Sequence, residues 1–171
     1  MEIYDFSEYR RVYLSIHIKP EKSTTMKPVR FKVDTGADLT TISKDELYAL
    51  GYTLEWIKEN SVSGTSSTAD GSTFMTGFVQ LPVINFLGYE GKNWPLLVIL
   101  DEEKDFHNLL GRDLLSGFNY NFNNDKEIFE IRRAEKFYFI GEKLSSQEIH
   151  EVATQKTKLV NTRSSTFDKR K

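Results

Sequence analysis

The stretch VRFKVDTGAD, residues 29–38, carries a strand pattern that runs straight into an Asp-Thr-Gly turn. Val29, Phe31 and Val33 alternate with basic residues, so a β-strand would place all three on one face. Asp34 would then lie in a turn that is partly sheltered from water. Because Asp and Gly are also ordinary turn residues, the tripeptide alone predicts no more than a turn between two strands.

A second motif lies far downstream, in the stretch NLLGRDLL at residues 108–115. Two leucines and a glycine precede an Arg-Asp pair, and the leucines that follow predict a short helix closed by Gly117. An ordered pair of motifs carries more information than either motif alone. The pair therefore favours a functional interpretation of the Asp-Thr-Gly turn.

The rest of the chain is mostly of β pattern. Residues 12–18 would place Val12, Leu14, Ile16 and Ile18 on one face, and residues 95–100 form an unbroken apolar run typical of a buried strand. Further strands are predicted at residues 40–42, 78–86 (with Leu81, Val83 and Phe86 inward), 118–122, 128–131 and 137–140, with turns at 88–91 and 123–126. One helix is predicted after Ser43, because Ser43 and Glu46 form a capping box and Gly51 supplies a stop. The expected fold class is all-β with one or two short helices.

Composition excludes several function classes. The net charge of -2 and pI of about 6.0 argue against a nucleic-acid partner. The absence of cysteine excludes disulfides, thiolate zinc sites and a cysteine nucleophile. The three histidines lack metal-ligand spacing, so we expect no metal and no cofactor. No apolar run approaches the roughly 20 residues of a membrane helix, and the first ten residues lack a signal-peptide pattern. These features predict a protein without a membrane partner, in the cytoplasm.

Both motifs together resemble those of the retropepsin family, the aspartic proteases of retroviruses and their cellular and bacterial relatives. Residues 34–38 match the D-T-G-A-D of that family, and residues 108–115 resemble its apolar-apolar-Gly-Arg signature. The resemblance spans roughly residues 10–131. It implies an acid protease fold, a closed β-barrel with a flap hairpin, in a domain that we place at residues 1–141. Residues 142–171 are predicted to be a polar extension, a short helix followed by disorder.

The resemblance assigns roles to individual residues. Asp34 would be catalytic, Thr35 would hydrogen-bond across a dimer axis, and Gly36 would offer its backbone to substrate. The residues expected to support the site are Thr35, Gly36, Ala37, Asp38, Leu110, Gly111 and Arg112, with an ion pair between Asp38 and Arg112. Ala37 lacks a hydroxyl that many relatives carry there and that would stabilise an ionised carboxylate. We therefore expect activity at mildly acidic to neutral pH.

Residues 61–77, rich in Ser, Thr and Gly, lie where the flap of that family belongs. Gly64, Thr65, Gly71 and Gly77 are the candidate flap residues, and lids of this kind exclude water from the reaction. An ordinary flexible surface loop would have the same composition. Either interpretation is consistent with the segment taken alone.

Asp34 begins the only Asp-Thr-Gly in the chain, so each chain offers half of a carboxylate pair. The resemblance therefore implies a homodimer with its site on the twofold axis. Two carboxylates about 3 Å apart cannot both ionise, so they share a proton and activate a water against a peptide bond. The leading hypothesis is an aspartic endopeptidase acting on polypeptides. A non-catalytic dimerisation or peptide-binding module of the same fold, and an unrelated β-rich scaffold with a chance motif, are the alternatives.

Overall fold

The strands of the computed structural model follow the alternation of apolar residues along the chain. The structure describes residues 1–7, 10–67, 71, 73–100 and 107–135. The elements, in chain order, are β1 (Glu2–Asp5), β2 (Tyr13–Ile18), β3 (Lys27–Val33), β4 (Thr41–Ser43), α1 (Lys44–Ala49), α2 (Leu54–Asn60), β5 (Ser61–Ser67), β6 (Thr73–Phe86), β7 (Tyr89–Ile99), β8 (Leu109–Leu110), α3 (Arg112–Leu115), β9 (Phe118–Asn123) and β10 (Ile128–Arg133). The prediction of a mostly β protein with few, short helices is confirmed.

Seven strands form one sheet in the order β2-β3-β8-β4-β7-β6-β5. A further pairing of β2 with β6 closes the strands from β2 to β6 into a ring and leaves β5 as an extension beside β6. The pairings β3–β8 and β4–β7 are parallel, whereas the other pairings in this sheet are antiparallel. The ring surrounds the main core and accords with the expected fold.

The alternation of residues 12–18, in β2 and just before it, determines which of these residues face the core. Val12, Leu14, Ile16 and Ile18 are at most 2% exposed, as their spacing predicts. They pack in one cluster with large side chains of the other strands, Phe31, Phe86 and Trp94 among them. This burial supplies the main driving force for closing the ring.

Helix α1 begins as the sequence predicts. The Ser43 side chain accepts a hydrogen bond from the Glu46 N–H at 3.3 Å, and Gly51 follows the helix with φ of 88°. Helix α2 was not predicted. The Thr53 side chain caps this helix by accepting a hydrogen bond from the Trp56 N–H at 3.1 Å. Because Trp56 stands where a capping box has Glu, the sequence lacks the Ser/Thr-x-x-Glu pattern.

The long β6–β7 hairpin differs from the prediction at its turn. The turn residues are Leu87 and Gly88, both with positive φ, whereas the predicted turn at residues 88–91 extends into β7. Gly91 is buried in β7, where an added Cβ would lie 2.8 Å from Trp94 Cε3. A two-residue turn with positive φ at both positions matches the twist of a hairpin. The predicted turn was wrong because Gly91 serves close packing.

The inward face of β6 also changes phase along the strand. Leu81 and Phe86 are buried as predicted, but Val83 is only half-buried and its neighbour Ile84 is fully buried. Ile84 lies where β6 pairs with both β7 and β2. The double pairing at the closure of the ring therefore decides which residue faces inward.

A second sheet has the order β1-β10-β9. The predicted hairpin of β9 and β10 is present, with the connecting turn moved to residues 124–127. β1 adds to β10 in the same chain, pairing Glu2 with Ile131 and Asp5 with Ile128. The sheet is joined to the core by Phe118, whose ring meets that of Phe86 at 4.9 Å. The predicted strand at 137–140 and the extension at 142–171 lie outside the described residues.

No helix in the described part of the chain is both long and apolar enough to cross a membrane.

Candidate active site

Asp34 follows the last residue of β3 and is held by its own turn. Its N–H donates to the Leu110 carbonyl at 3.0 Å, and its carbonyl accepts from the Ala37 N–H at 3.1 Å. The carboxylate oxygen Oδ1 accepts from the Gly36 N–H at 2.9 Å. The carboxyl group is half-buried, and Thr35 and Gly36 beside it are exposed. The turn therefore presents a carboxylate in a fixed orientation at the surface of the described chain.

The two sequence motifs meet because β8 lies between β3 and β4. Val33 pairs with Leu110 in the parallel direction, and Thr41 pairs with Leu109 in the antiparallel direction. The strands on both sides of the Asp34 turn thus pair with the same short strand. The predicted site residues from the two halves of the sequence are brought together.

Three further contacts join the turn to the start of α3. The Arg112 N–H donates to the Ala37 carbonyl at 2.9 Å, and the Asp113 N–H donates to the Asp38 carbonyl at 3.1 Å. The expected ion pair between the Arg112 guanidinium and the Asp38 carboxylate is present. Because the two side chains are 60% and 32% exposed, water screens this pair and its contribution to stability is small.

Gly111 is a position that no other residue could occupy without displacing the turn. An added Cβ would lie 2.4 Å from the Leu39 carbonyl carbon and 2.8 Å from the Thr40 nitrogen. Both atoms belong to the backbone, so neither can move away cheaply. The glycine of the second motif therefore permits the backbone of residues 39–40 to approach α3 closely.

A buried carboxylate beneath the turn was missing from the predicted site. Asp113 is 4% exposed, and its Oδ1 accepts from the Thr40 N–H at 2.9 Å, the Thr40 hydroxyl at 2.6 Å and the Leu114 N–H at 2.9 Å. The Thr40 hydroxyl in turn accepts from the Gly111 N–H at 3.1 Å. Burial raises the pKa of the Asp113 carboxyl, against the opposing effect of these hydrogen bonds. An acidic residue inside a Leu-rich helix pattern is the signal that could have revealed it.

The candidate flap residues lie in one β-hairpin. β5 and β6 pair from Ser61 with Val79 to Ser67 with Thr73, so Gly64 and Thr65 belong to β5 and Gly77 to β6. Gly71 lies between the strands with φ of 86°. Gly77 packs closely on Ser61, whose Cβ would be 3.0 Å from an added Cβ. Gly77 therefore serves close pairing at the base of the hairpin.

A small apolar cluster lies beside the Asp34 turn, apart from the main core. It consists of Phe78, Leu97 and the half-buried Leu39. The Leu97 N–H donates to the Thr40 carbonyl at 3.1 Å, and Leu97 pairs with Phe78 across β6 and β7. Leu39, its half-buried member, thus exposes apolar surface five residues from Asp34.

The chemistry available here is that of carboxylates and backbone dipoles. Among the described residues, no group of three or more His, Asp or Glu side chains could hold a metal ion. In the same part of the chain, the Thr35 side chain makes no hydrogen bond and is exposed beside Asp34. One chain therefore supplies one positioned carboxylate and one exposed hydroxyl.

Comparison with known proteins gives one family and several similar structures. Residues 22–114 match a family model described as aspartyl protease. A retropepsin-like aspartic protease from Rickettsia conorii is 26% identical with a TM-score of 0.56, over 77% of this chain and 97% of that one.

Two further solved structures show lower similarity. The EIAV protease complexed with the inhibitor HBY-793 is 21% identical over 61% of this chain and 85% of that one, with a TM-score of 0.43. The retroviral protease-like domain of Ddi1 from Leishmania major is 15% identical over 78% and 96%, with a TM-score of 0.45. No curated protein sequence matches the chain.

Proposed function

The chain belongs to the aspartyl protease family, with a retropepsin-like fold, and from this premise we propose that it is an aspartic endopeptidase acting as a homodimer. The observation that carries the proposal is the fixed, half-buried carboxylate of Asp34. Its turn is closed by bonds to Gly36, Ala37 and Leu110, the residues that the motif pair assigns to the site. A bond from the Gly36 N–H to the Asp34 side chain also occurs in ordinary turns, so the further support is the bond from the Asp34 N–H to the Leu110 carbonyl, which joins the turn to the second motif.

The proposed reaction uses two Asp34 carboxylates, one from each copy, and a water molecule. At about 3 Å separation the pair shares one proton. The ionised carboxylate takes a proton from the water while the oxygen of that water attacks the peptide carbonyl carbon. The protonated carboxyl group donates its proton to the carbonyl oxygen. Collapse of the tetrahedral intermediate breaks the C–N bond, the amine leaves with the proton taken from water, and one hydroxyl of the intermediate returns a proton to the carboxylate pair. No covalent intermediate forms.

The need for a second copy follows from stoichiometry. The chain has a single Asp-Thr-Gly, and the reaction needs an acid and a base at the same carbonyl. Thr35 supports this proposal, because its hydroxyl is exposed beside Asp34 and could hydrogen-bond to the turn of a partner. A dimer with twofold symmetry would place the Asp34 turns of both copies at the axis.

The proposed substrate is an extended polypeptide with apolar side chains near the cleaved bond. The apolar cluster of Leu39, Phe78 and Leu97 beside the turn supports this preference. The β5–β6 hairpin is the proposed flap, and Met75 on it is 60% exposed, a large apolar side chain available to cover substrate. Closure of such a hairpin would exclude water from the site.

Replacement of Asp34 by Asn tests the proposal, because the amide keeps the size of the side chain and cannot act as the base. We expect cleavage of a denatured protein to fall by at least about 100-fold, the loss that removal of a general base produces. Asp125→Asn, in the exposed β9–β10 turn, is the matched control. Unchanged cleavage by the Asp34 variant would refute the assignment. Binding of a peptide-like inhibitor of aspartic proteases without any turnover by the unaltered chain would identify a peptide-binding module instead.

A further inference from the structure

The outward-facing residues of β2 and β3 form a basic surface on a chain whose net charge is -2. Leu14, Ile16 and Phe31 are buried, so the residues that alternate with them in these two paired strands face away from the core. The β2–β3 face, as we call this surface, consists of Tyr13, Ser15, His17, Pro28, Arg30 and Lys32. Arg30 and Lys32 give it two positive charges, and it contains no acidic residue.

The two cations of this face are not neutralised by neighbouring acids. In the described part of the chain, no ion pair includes Arg30 or Lys32. The residues beside the face on adjacent strands are uncharged, because Lys32 pairs with Leu109 of β8 and His17 pairs with Asn85 of β6. Both positive charges are therefore available to a group from outside the described chain.

Acidic residues lie only at the margins of the face in the described part of the chain. Glu21 lies in the turn that joins β2 to β3, and Asp34 follows the end of β3. Glu90 lies on β7, three strands and about 14 Å from β3, and its carboxylate lies 3.8 Å from Lys92 Nζ. The Debye length at physiological ionic strength is about 8 Å. The Glu90 charge is therefore screened from Arg30.

Arg30 is held in place, which reduces the entropy that a bound partner would cost. Its guanidinium carbon lies 4.1 Å from the centroid of the Tyr13 ring, in a cation–π contact. Its backbone carbonyl accepts a hydrogen bond from the Asn108 side-chain amide at 3.1 Å. Stacking on a ring uses the flat face of a guanidinium and leaves its in-plane N–H groups, which bind a carboxylate in pairs.

We propose that the β2–β3 face binds an acidic segment of the polypeptide substrate, away from the bond that is cleaved. The inference rests on the proposed function and adds a substrate class, polypeptides with Asp or Glu at a distance from the cleaved bond. Lys32 and Arg30 precede Asp34 by two and four residues, about 7 and 13 Å along an extended strand. An extended substrate covers 13 Å with about four residues, so the acidic segment lies at least that far from the cleaved bond.

Two cations at this spacing suit a short acidic peptide better than a nucleic acid. Side chains two positions apart in an extended peptide are about 7 Å apart on one face, as Arg30 and Lys32 are in β3. A Glu-x-Glu segment can therefore meet both. Affinity for nucleic acid comes mostly from phosphate contacts, often about 6–10 of them. The Tyr13 ring, which could stack on a base, is occupied by Arg30.

Paired peptides test the inference. Both carry the same apolar cleavage site, and one has Glu-x-Glu about six residues away where the other has Gln-x-Gln. We expect the unaltered chain to cleave the acidic peptide with about 2- to 20-fold higher kcat/KM, through a lower KM, the effect of two exposed ion pairs. The preference should vanish near 1 M salt, where the Debye length is about 3 Å.

Charge substitutions on the face give the decisive comparison. Arg30→Gln/Lys32→Gln should remove the preference and leave cleavage of the neutral peptide unchanged, which would also show that the variant is folded. Arg30→Glu/Lys32→Glu should favour a Lys-x-Lys peptide instead. The matched control is Lys126→Gln/Arg132→Gln, which removes two positive charges from exposed positions of the β9–β10 hairpin. It should keep the preference for the acidic peptide.

Equal cleavage of the two peptides by the unaltered chain would overturn the inference and leave the proposed function intact, as would a preference that survives Arg30→Gln/Lys32→Gln. An unaltered chain that cleaves neither peptide would refute the proposed function. The face is then tested by NMR, where millimolar Glu-x-Glu peptide should shift the amide resonances of β2 and β3, and the Gln-x-Gln peptide should not. Larger shifts of the same resonances with a single-stranded oligonucleotide of equal charge would overturn the inference and assign the face to nucleic acid.

Discussion

The Thr40 hydroxyl donates a 2.6 Å hydrogen bond to the Asp113 carboxylate, joining residues 73 positions apart in the chain. The same hydroxyl accepts from the Gly111 N–H, so it links the glycine of the second motif to the acid that follows it. Thr40 ends the segment that carries Asp34, and Asp113 lies in α3. This bond fixes the turn that carries Asp34 from beneath, by a route independent of the ion pair between Asp38 and Arg112.

Asp113 should stabilise the fold as a hydrogen-bond acceptor, and its negative charge should not be needed for this. Asp113→Ala leaves the Thr40 N–H, the Thr40 hydroxyl and the Leu114 N–H without their acceptor in a buried place. We expect the free energy of unfolding to fall by about 3 kcal/mol or more, since each of the three unsatisfied groups costs about 1–3 kcal/mol. Asp113→Asn retains a carbonyl oxygen and should lose about 1 kcal/mol or less. Urea unfolding of both variants measures the difference, and equal losses would contradict this account.

Ionisation of Asp113 should contribute to the pH dependence of the free energy of unfolding. Burial raises the pKa of this carboxyl above its ordinary value, so the folded chain keeps the proton after the unfolded chain has released it. Between the unfolded pKa, about 3.9, and the raised folded pKa, the group therefore lowers stability as the pH rises. Asp113→Asn should remove that decline. We expect the free energy of unfolding of the unaltered chain, relative to that of Asp113→Asn, to fall from pH 4 upward.

Many elements of this fold can be predicted from the sequence, because the alternation of apolar residues and the residues that form turns and caps are local patterns. The spacing of Val12, Leu14, Ile16 and Ile18 identified a buried face, and Ser43 with Gly51 marked a helix at both ends. The pairing of β1 with β10 could not be found in this way. Glu2–Asp5 has no apolar face of its own, and its partner strand β10 is distant in the chain.

The site was predicted less completely than the fold for a related reason. Asp34, Gly111 and Arg112 stand in short motifs that the sequence shows directly. The bond between Thr40 and Asp113 depends on β8 lying between β3 and β4, a topology that no local pattern encodes. Burial of the Asp113 carboxylate follows from that topology, so its role could be inferred only once the strands were placed.

Gly111→Ala should be among the most damaging single methyl additions in the chain. The new Cβ would lie 2.4 Å from the Leu39 carbonyl carbon, so residues 39–40 must shift and take the turn with them. We expect a loss of about 1–3 kcal/mol in unfolding free energy. Cleavage should fall about 100-fold, as expected for a displacement near 1 Å at a catalytic group.

Gly64→Ala is the matched control for that substitution. Its added Cβ would lie 3.7 Å from Thr76 Oγ1, an ordinary contact, and its unfolding free energy should change by about 0.5 kcal/mol or less. If Gly111→Ala were as stable as the control and cleaved substrate normally, the close approach of α3 to residues 39–40 would not position the turn.

Leu39 should influence which peptides are cleaved, more than it influences folding. The side chain is half-buried in the apolar cluster with Phe78 and Leu97, beside the turn that carries Asp34. Leu39→Asn keeps a similar size and removes the apolar contact, which in a binding pocket is worth about 1–3 kcal/mol. We expect kcat/KM for peptides with an apolar side chain at the cleaved bond to fall about 10-fold or more, with a smaller fall for polar analogues. Leu54→Asn, at the 39% exposed start of α2, should leave both rates unchanged. An equal fall for apolar and polar peptides would mean that Leu39 supports the turn and does not touch substrate, because a displaced carboxylate slows every peptide alike.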